Sequence, residues 1–328
     1  MDDLVDRSLI IMLNWTAPEM TVTGITEFVT SRFNEAYDLY QWYLSVADDR
    51  VKDWFMMDGY TSTIVLSIVY VISVWFIGPR LMENRKPFNL KLHLIVYNIV
   101  IIYINFHIFS ELLIASTNLN YSYSCQPVQY THDPNEMRIA RALWWFYFSK
   151  VIEMLDTVFF VLRKKNNQLT YLHVYHHSAI FIGSWVGMKW VAGGQAFFCA
   201  MMNSFIHILM YFYYELSAMG PKVRKYLWWK HYLTLIQLTQ FYIGIIYGIQ
   251  AIVIGCNFPQ WMLYVCVIYG FTILILFHNF YYQTYQKPKK ESMACISTGN
   301  EKNGELQNGH VYCDSLTTNY HIESKKKQ

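Results

Sequence analysis

Charge is what this chain has least of. Only 15% of its 328 residues are Asp, Glu, Lys or Arg, against about 25% in an average soluble domain. Hydrophobic residues supply 54% and aromatic residues 18%. A composition so poor in charge cannot cover a large water-facing surface, which argues against an ordinary soluble fold. A basic stripe is also missing. The formal net charge is only +3, and Lys and Arg gather at the ends of apolar stretches, so nucleic acid is excluded as a partner. A secretory signal is not expected either: Met1-Asp2-Asp3 is acidic where a signal is basic, and the apolar run Leu9 to Leu13 is too short.

Long apolar runs are what the chain has in place of charge. A hydrocarbon core about 30 Å thick takes roughly 20 mainly apolar residues per helix. Seven windows meet that length, at about 62–79, 92–114, 142–162, 170–192, 196–216, 231–254 and 260–284. The expected fold is an all-α membrane protein with seven transmembrane helices. Ahead of them, Ile25, Phe28, Val29, Phe33, Tyr37 and Tyr40 recur at helical spacing. This predicts an amphipathic helix over 24–46, lying on the membrane surface or packed outside it. Residues 286–328 are rich in Lys, Asn, Glu, Ser and Gly and lack an apolar period, a composition that cannot bury a core. The chain therefore reads as an N-terminal segment 1–60, a seven-helix domain 61–285 and a disordered tail 286–328.

Basic residues fall on alternate connections. Arg80, Arg85, Lys86 and Lys91 follow the first window; Arg163, Lys164 and Lys165 the third; Lys222, Arg224, Lys225 and Lys230 the fifth; Lys287, Lys289 and Lys290 the seventh. The positive-inside rule puts these in the cytosol, with a lumenal N-terminus and a cytosolic C-terminus. The sequons at Asn14 and Asn120 then fall on the lumenal side, where glycosylation occurs. So do Cys125 and Cys256, and an oxidising lumen permits a disulfide between them. Cys199 and Cys266 lie inside spans and read as packing residues; Cys295 and Cys313 lie in the tail and should stay reduced. The end Lys325-Lys326-Lys327-Gln328 matches a dilysine signal for retrieval to the endoplasmic reticulum.

Polar groups in a bilayer are costly and mark functional candidates. In the third window Lys150, Glu153 and Thr157 share a helical face, flanked by Asp156. Three unpaired charges there would cost about 10 kcal/mol, so they must face protein or water. A buried ion pair that fixes packing is the structural alternative. His173, His176 and His177 open the fourth window at i, i+3 and i+4, on one face. Asn203 and His207 share a face in the fifth, followed by Met210, Tyr211, Tyr213 and Tyr214; the sixth starts with Lys230, Thr234, Gln237 and Gln240. These residues together outline a polar cavity open toward the cytosol.

Clustered imidazoles serve either as metal ligands or as nucleophile and base. A di-iron centre of the desaturase or hydroxylase kind needs about eight histidines in several boxes. This chain has 11, of which only His173, His176, His177 and His207 cluster. A single zinc remains open on count. The boxes Lys150-x-x-Glu153-x-x-Asp156-Thr157, His173-Val174-Tyr175-His176-His177, Asn203-x-x-x-His207-x-x-Met210-Tyr211-x-Tyr213-Tyr214 and Thr234-x-x-Gln237-x-x-Gln240 occur in that order. In these boxes the chain resembles the ELO family, the elongases of very-long-chain fatty acids, over about residues 60–285. Lys189 to Gly194 and Lys225 to Lys230 look closest to the subgroup that extends very long saturated and polyunsaturated chains.

The resemblance implies an acyltransferase that condenses acyl-CoA with malonyl-CoA to 3-oxoacyl-CoA, CO2 and CoA. This is the first step of the elongation cycle in the endoplasmic reticulum membrane. It implies no redox cofactor and no metal. The implied partners are membrane lipid, a 3-ketoacyl-CoA reductase, a 3-hydroxyacyl-CoA dehydratase, an enoyl-CoA reductase and other elongase copies in homo- or hetero-oligomers. Six or seven helices would surround a central acyl-chain tunnel. By resemblance His176 is the nucleophile and forms an acyl-imidazole, with His173 and His177 in support. His207 would position the carbonyl or move a proton, Asn203 would donate to an oxyanion, and Asp156 would orient His177. Lys150 and Glu153 would bind substrate, Lys150 with His173 at the pantetheine or thioester. Arg163, Lys165 and Gln168 would bind CoA phosphates, although Arg163 and Lys165 also serve topology alone. Tyr211, Tyr214, Lys230, Thr234, Gln237 and Gln240 are further substrate-binding candidates. A metal-dependent lipid desaturase or hydroxylase and a non-enzymatic seven-helix receptor or transporter are the other readings.

Overall fold

A computed structural model describes residues 22–287, and the regular structure among them is helical throughout. Asn14, Cys295, Cys313, the dilysine end and the tail beyond 287 lie outside the described residues. The elements are α1 (Val22–Ser45), α2 (Thr61–Ile72), a π-helical turn Ser73–Ile77, and α3 (Gly78–Met82). Then come α4 (Lys91–Asn118), α5 (Pro134–Glu153), α6 (Leu155–Leu162) and α7 (Tyr171–Trp190). The series ends with α8 (Ala196–Ala218), α9 (Pro221–Arg224), α10 (Lys230–Val253) and α11 (Gln260–Tyr281). The chain forms two compact units, Met1–Phe277 and His278–Gln328. Of the second, the described part is the end of α11 and a π-helical turn Tyr282–Gln286.

Five stretches are long and apolar enough to cross a membrane: Thr61–Met82, Lys91–Asn118, Ala196–Ala218, Lys230–Val253 and Gln260–Gln286. The chain is thus an all-helical membrane protein with several apolar spans. The windows 142–162 and 170–192 also fold as helices, α5 with α6 and then α7. The histidine box makes α7 less apolar than those five, while α5 carries Glu136, Arg138 and Arg141 besides Lys150 and Glu153, and α6 is only eight residues long. The helix expected over 24–46 is α1. Ile25, Val29, Phe33 and Tyr37 are exposed along it, and its end is tied where Trp190 Nε1 donates to Tyr43 O at 2.8 Å.

Local chemistry sets the helix starts that matter for the site. Asp133 caps α5, its side chain accepting from Asn135 N at 2.8 Å and Glu136 N at 3.3 Å. Pro134 occupies the first position, where its missing N–H costs nothing. Thr170 caps α7 by accepting from His173 N at 3.2 Å, so the histidine box begins on a fixed first turn. Helix α4 packs along both α8 and α5, while α7 packs against α5 and α2. Between them lies a core that includes Ile108, Leu112, Ile139, Tyr147, Phe181 and Phe197. Gly78 lets α3 meet α6: a Cβ there would stand 2.7 Å from Val161 Cγ1 and 2.8 Å from Ser73 O.

One end of the bundle is tied by long-range bonds. Cys125 and Cys256 form a disulfide across a separation of 131 residues. Arg50 is buried; its Nη2 donates to Asp48 Oδ2 at 2.6 Å and to Ala192 O at 3.1 Å, and its Nη1 donates to Gln129 O at 2.8 Å. Burial works against the Arg50 charge, but the hydrogen bond and charge of Asp48 outweigh it and its pKa is raised. Lys189 Nζ donates to Met57 O at 2.6 Å, and Tyr121 OH donates to Glu136 Oε2 at 2.5 Å. Gly194, with φ +53°, sits where a Cβ would meet Val128 N at 2.8 Å, so only glycine fits that turn.

Candidate active site

The polar residues of α5, α6, α7 and α8 meet within the bundle in two linked groups. The first is centred on Glu153. Lys150 Nζ donates to Glu153 Oε1 and Oε2 at 2.9 and 3.0 Å and to Asn203 Oδ1 at 3.3 Å. Both side chains of that ion pair are 1% exposed, so each neutralises a charge that would otherwise stand bare in the core. Lys150 Nζ also lies 4.6 Å from the Phe146 ring centroid. Across from the pair, His207 Nδ1 is 3.3 Å from Glu153 Oε1, at an angle that makes no hydrogen bond. Asn203 thus accepts from Lys150, although it shares a helical face with His207.

The second group follows the turn at Met154 between two helices. Helix α5 ends at Glu153 and α6 begins at Leu155, which turns Asp156 and Thr157 to separate partners. Asp156 Oδ2 accepts from Tyr211 OH at 2.5 Å. This places Asp156 on a phenol of α8 and not on His177, the imidazole it was expected to orient. Thr157 Oγ1 lies 2.7 Å from Tyr70 OH and 2.9 Å from His173 Nε2. The rings of His173 and His177 are 4.4 Å apart, and those of His176 and His177 5.6 Å. His177 is buried, and its Nδ1 has no hydrogen-bond partner. His176 is half-buried, with Nδ1 2.9 Å from Tyr269 OH on α11.

A cleft of about 460 Å³ opens beside this group, lined among others by Asp156, Arg163, Lys165, Gln168, Tyr214 and Arg224. The short connection from α6 to α7 carries three of these. Arg224, on α9, donates from Nε to Ser217 O at 3.3 Å. Burial, and then the charge of Arg224, push the Arg163 guanidinium below its usual pKa. Two guanidiniums held near one another in a cleft make a seat for a polyanion. No histidine lines the cleft, but Asp156 does, and it adjoins Thr157, which contacts His173.

Not every expected residue reaches these groups. Thr234 Oγ1 bonds Lys230 O within α10 at 3.2 Å, and Gln237 Nε2 reaches Met210 Sδ at 3.3 Å. Gln240 is buried, and Lys230 is exposed; none of these four lines the cleft. Asn120 is exposed just after α4 with φ +50°. Tyr70, Tyr269 and Arg224 went unnoticed as site residues. The tyrosines lie in apolar helices without a polar box, and Arg224 read as a topology charge. Among the described residues no three His, Cys, Asp or Glu side chains are disposed to hold one metal ion.

The family profile described as ELO: GNS1/SUR4 matches residues 55–293. Very long chain fatty acid elongase 4 of Mus musculus is 48% identical over 286 residues, covering 87% of this chain and 90% of that protein. Very long chain fatty acid elongase 2 of Rattus norvegicus is 43% identical over 282 residues, covering 86% and 98%. Very long chain fatty acid elongase 5 of Homo sapiens is 43% identical over 270 residues, covering 82% and 89%. With matching boxes, a helical membrane fold and relatives aligned over most of their lengths, the chain belongs to the ELO, or GNS1/SUR4, family.

Proposed function

We propose that this elongation-cycle condensing enzyme acts through His176, joining a long-chain or very-long-chain acyl-CoA to malonyl-CoA by way of an acyl-imidazole. The observation that carries the reading is the pairing of one cationic cleft with one half-buried imidazole. Arg163, Lys165 and Arg224 suit the phosphates of CoA, and Asp156 on the cleft wall adjoins Thr157, whose Oγ1 lies 2.9 Å from His173 Nε2. A lone pair of His176 attacks the thioester carbonyl. The C–N bond forms, the C–S bond breaks, and the electron pair leaves on sulfur. The imidazole N–H proton passes to that thiolate, so CoA departs as the thiol. Malonyl-CoA then takes the same cleft. Its carboxylate leaves as CO2, and the freed pair becomes an enolate that attacks the acyl carbon. The C–N bond breaks, and the imidazole recovers one proton from water. The product is a 3-oxoacyl-CoA two carbons longer.

Supporting roles follow from position. His207, beside the Lys150–Glu153 pair, is placed to polarise the reacting carbonyl or move a proton. The acyl chain would lie between the spans, in a tunnel bounded by six or seven helices. Counting α5 with α6 as one crossing and α7 as another brings the total to seven. That number suits a lumenal N-terminus, a cytosolic cleft and residence in the endoplasmic reticulum. It also puts Asn120 and the disulfide in the lumen. The reductase, dehydratase and enoyl reductase of the cycle are the partners this product requires.

The test is a half-reaction. Given acyl-CoA without malonyl-CoA, the wild-type chain should release CoA and gain the acyl mass, whereas His176→Ala should do neither. An adduct of undiminished yield in His176→Ala would sink the assignment.

A further inference from the structure

We infer that Tyr269 is a positioning residue that holds the His176 ring with its attacking lone pair on Nε2. The inference rests on His176 being the nucleophile. A neutral imidazole carries one proton, and only the nitrogen without it can attack. Which nitrogen that is depends on the hydrogen bond made at the other. Tyr269 Oη stands 2.9 Å from Nδ1, and a phenol can either donate or accept there. If it donates, Nδ1 is occupied as acceptor and Nε2 bears the proton, so neither nitrogen is free. If it accepts, the proton sits on Nδ1 and Nε2 keeps its lone pair. Among the described residues Nε2 of His176 makes no hydrogen bond, and the residue is half-buried. The nitrogen without a hydrogen-bond partner is therefore Nε2, and only the accepting phenol leaves its lone pair reactive.

The other imidazoles are held differently. His173 has Nε2 against Thr157 Oγ1 at 2.9 Å. His177 is buried with Nδ1 unpartnered, and His207 places Nδ1 beside a carboxylate. Of the four, His176 alone has Nδ1 anchored by a neutral hydroxyl from another helix. A second tie between the same two helices, Tyr175 OH to Thr272 Oγ1 at 2.9 Å, involves no histidine. It supplies an internal control for helix packing.

The experiment compares Tyr269→Phe with Tyr175→Phe in the full-length chain in detergent. Readouts are the rate of CoA release from acyl-CoA alone, steady-state kcat and KM for acyl-CoA, and thermal unfolding. Tyr269→Phe should slow CoA release by about tenfold to a hundredfold, as loss of a group that orients a histidine commonly does. The loss should appear in kcat with KM for acyl-CoA unchanged and the unfolding temperature near wild type. Tyr175→Phe should release CoA at the wild-type rate. A wild-type rate in Tyr269→Phe, or an equal loss in Tyr175→Phe, would overturn the proposal. A wild-type chain that gains no acyl mass at all overturns the His176 reading and this one with it, and shows itself without either variant.

Discussion

Lys150 and Glu153 show what a single residue contributes here. With each side chain 1% exposed, removing one partner strands the other charge in the core. Lys150→Met should therefore destabilise the protein by about 3–5 kcal/mol, whereas Lys150→Met with Glu153→Leu should recover most of that loss, since a buried pair is often replaceable by apolar groups. Thermal unfolding in detergent decides it, and an equal loss in single and double variants would refute the pair's role. Helical spacing was enough to put Lys150 and Glu153 on one face. It was not enough to assign cross-helix partners. Asn203 bonds Lys150, and Asp156 bonds Tyr211, because a face defines a direction but not which neighbour stands in it. Tyr269 was illegible for a related reason: one hydroxyl in an apolar helix is indistinguishable from packing until its neighbour is seen.

At the scale of elements, the connection from α6 to α7 and the short helix α9 bring the basic side chains to the cleft wall. Arg163→Ala or Arg224→Ala should raise KM for acyl-CoA about tenfold to a hundredfold, the equivalent of 1.5–3 kcal/mol for hydrogen bonds to charged groups. The value of kcat should stay near wild type, and added salt should weaken wild-type binding more than the variants'. Steady-state kinetics at two ionic strengths measures both, and an unchanged KM would remove the cleft from the binding role. Arg163 and Lys165 were legible both as topology signals and as phosphate-binding candidates, whereas Arg224 read as topology alone until folding placed it on the wall that Arg163 also lines. The break after Met154 had no Pro or Gly to announce it. Helix starts at Asp133 and Thr170 were local and depend on the capping side chain alone.

For the molecule as a whole, the disulfide and the bonds of Arg50 and Lys189 join segments far apart in sequence. Cys125→Ser or Cys256→Ser should lower stability by about 2–4 kcal/mol, a common magnitude for a lost disulfide closing a long loop. The unfolding midpoint with and without reductant reports this: the wild type should fall on reduction and the variants should not. Those same ties impose a timetable on synthesis. Arg50 bonds Ala192, 142 residues later in the chain. At about 5–20 residues per second that partner emerges roughly 7–28 s after Arg50 itself. Cys125 waits a similar time for Cys256. Through that interval the Arg50 guanidinium has Asp48 but not yet Ala192, and Cys125 lacks its disulfide partner. A chain cut short before residue 192 lacks both ties, and one cut between 192 and 256 lacks the disulfide alone, so the two ties close in a fixed order.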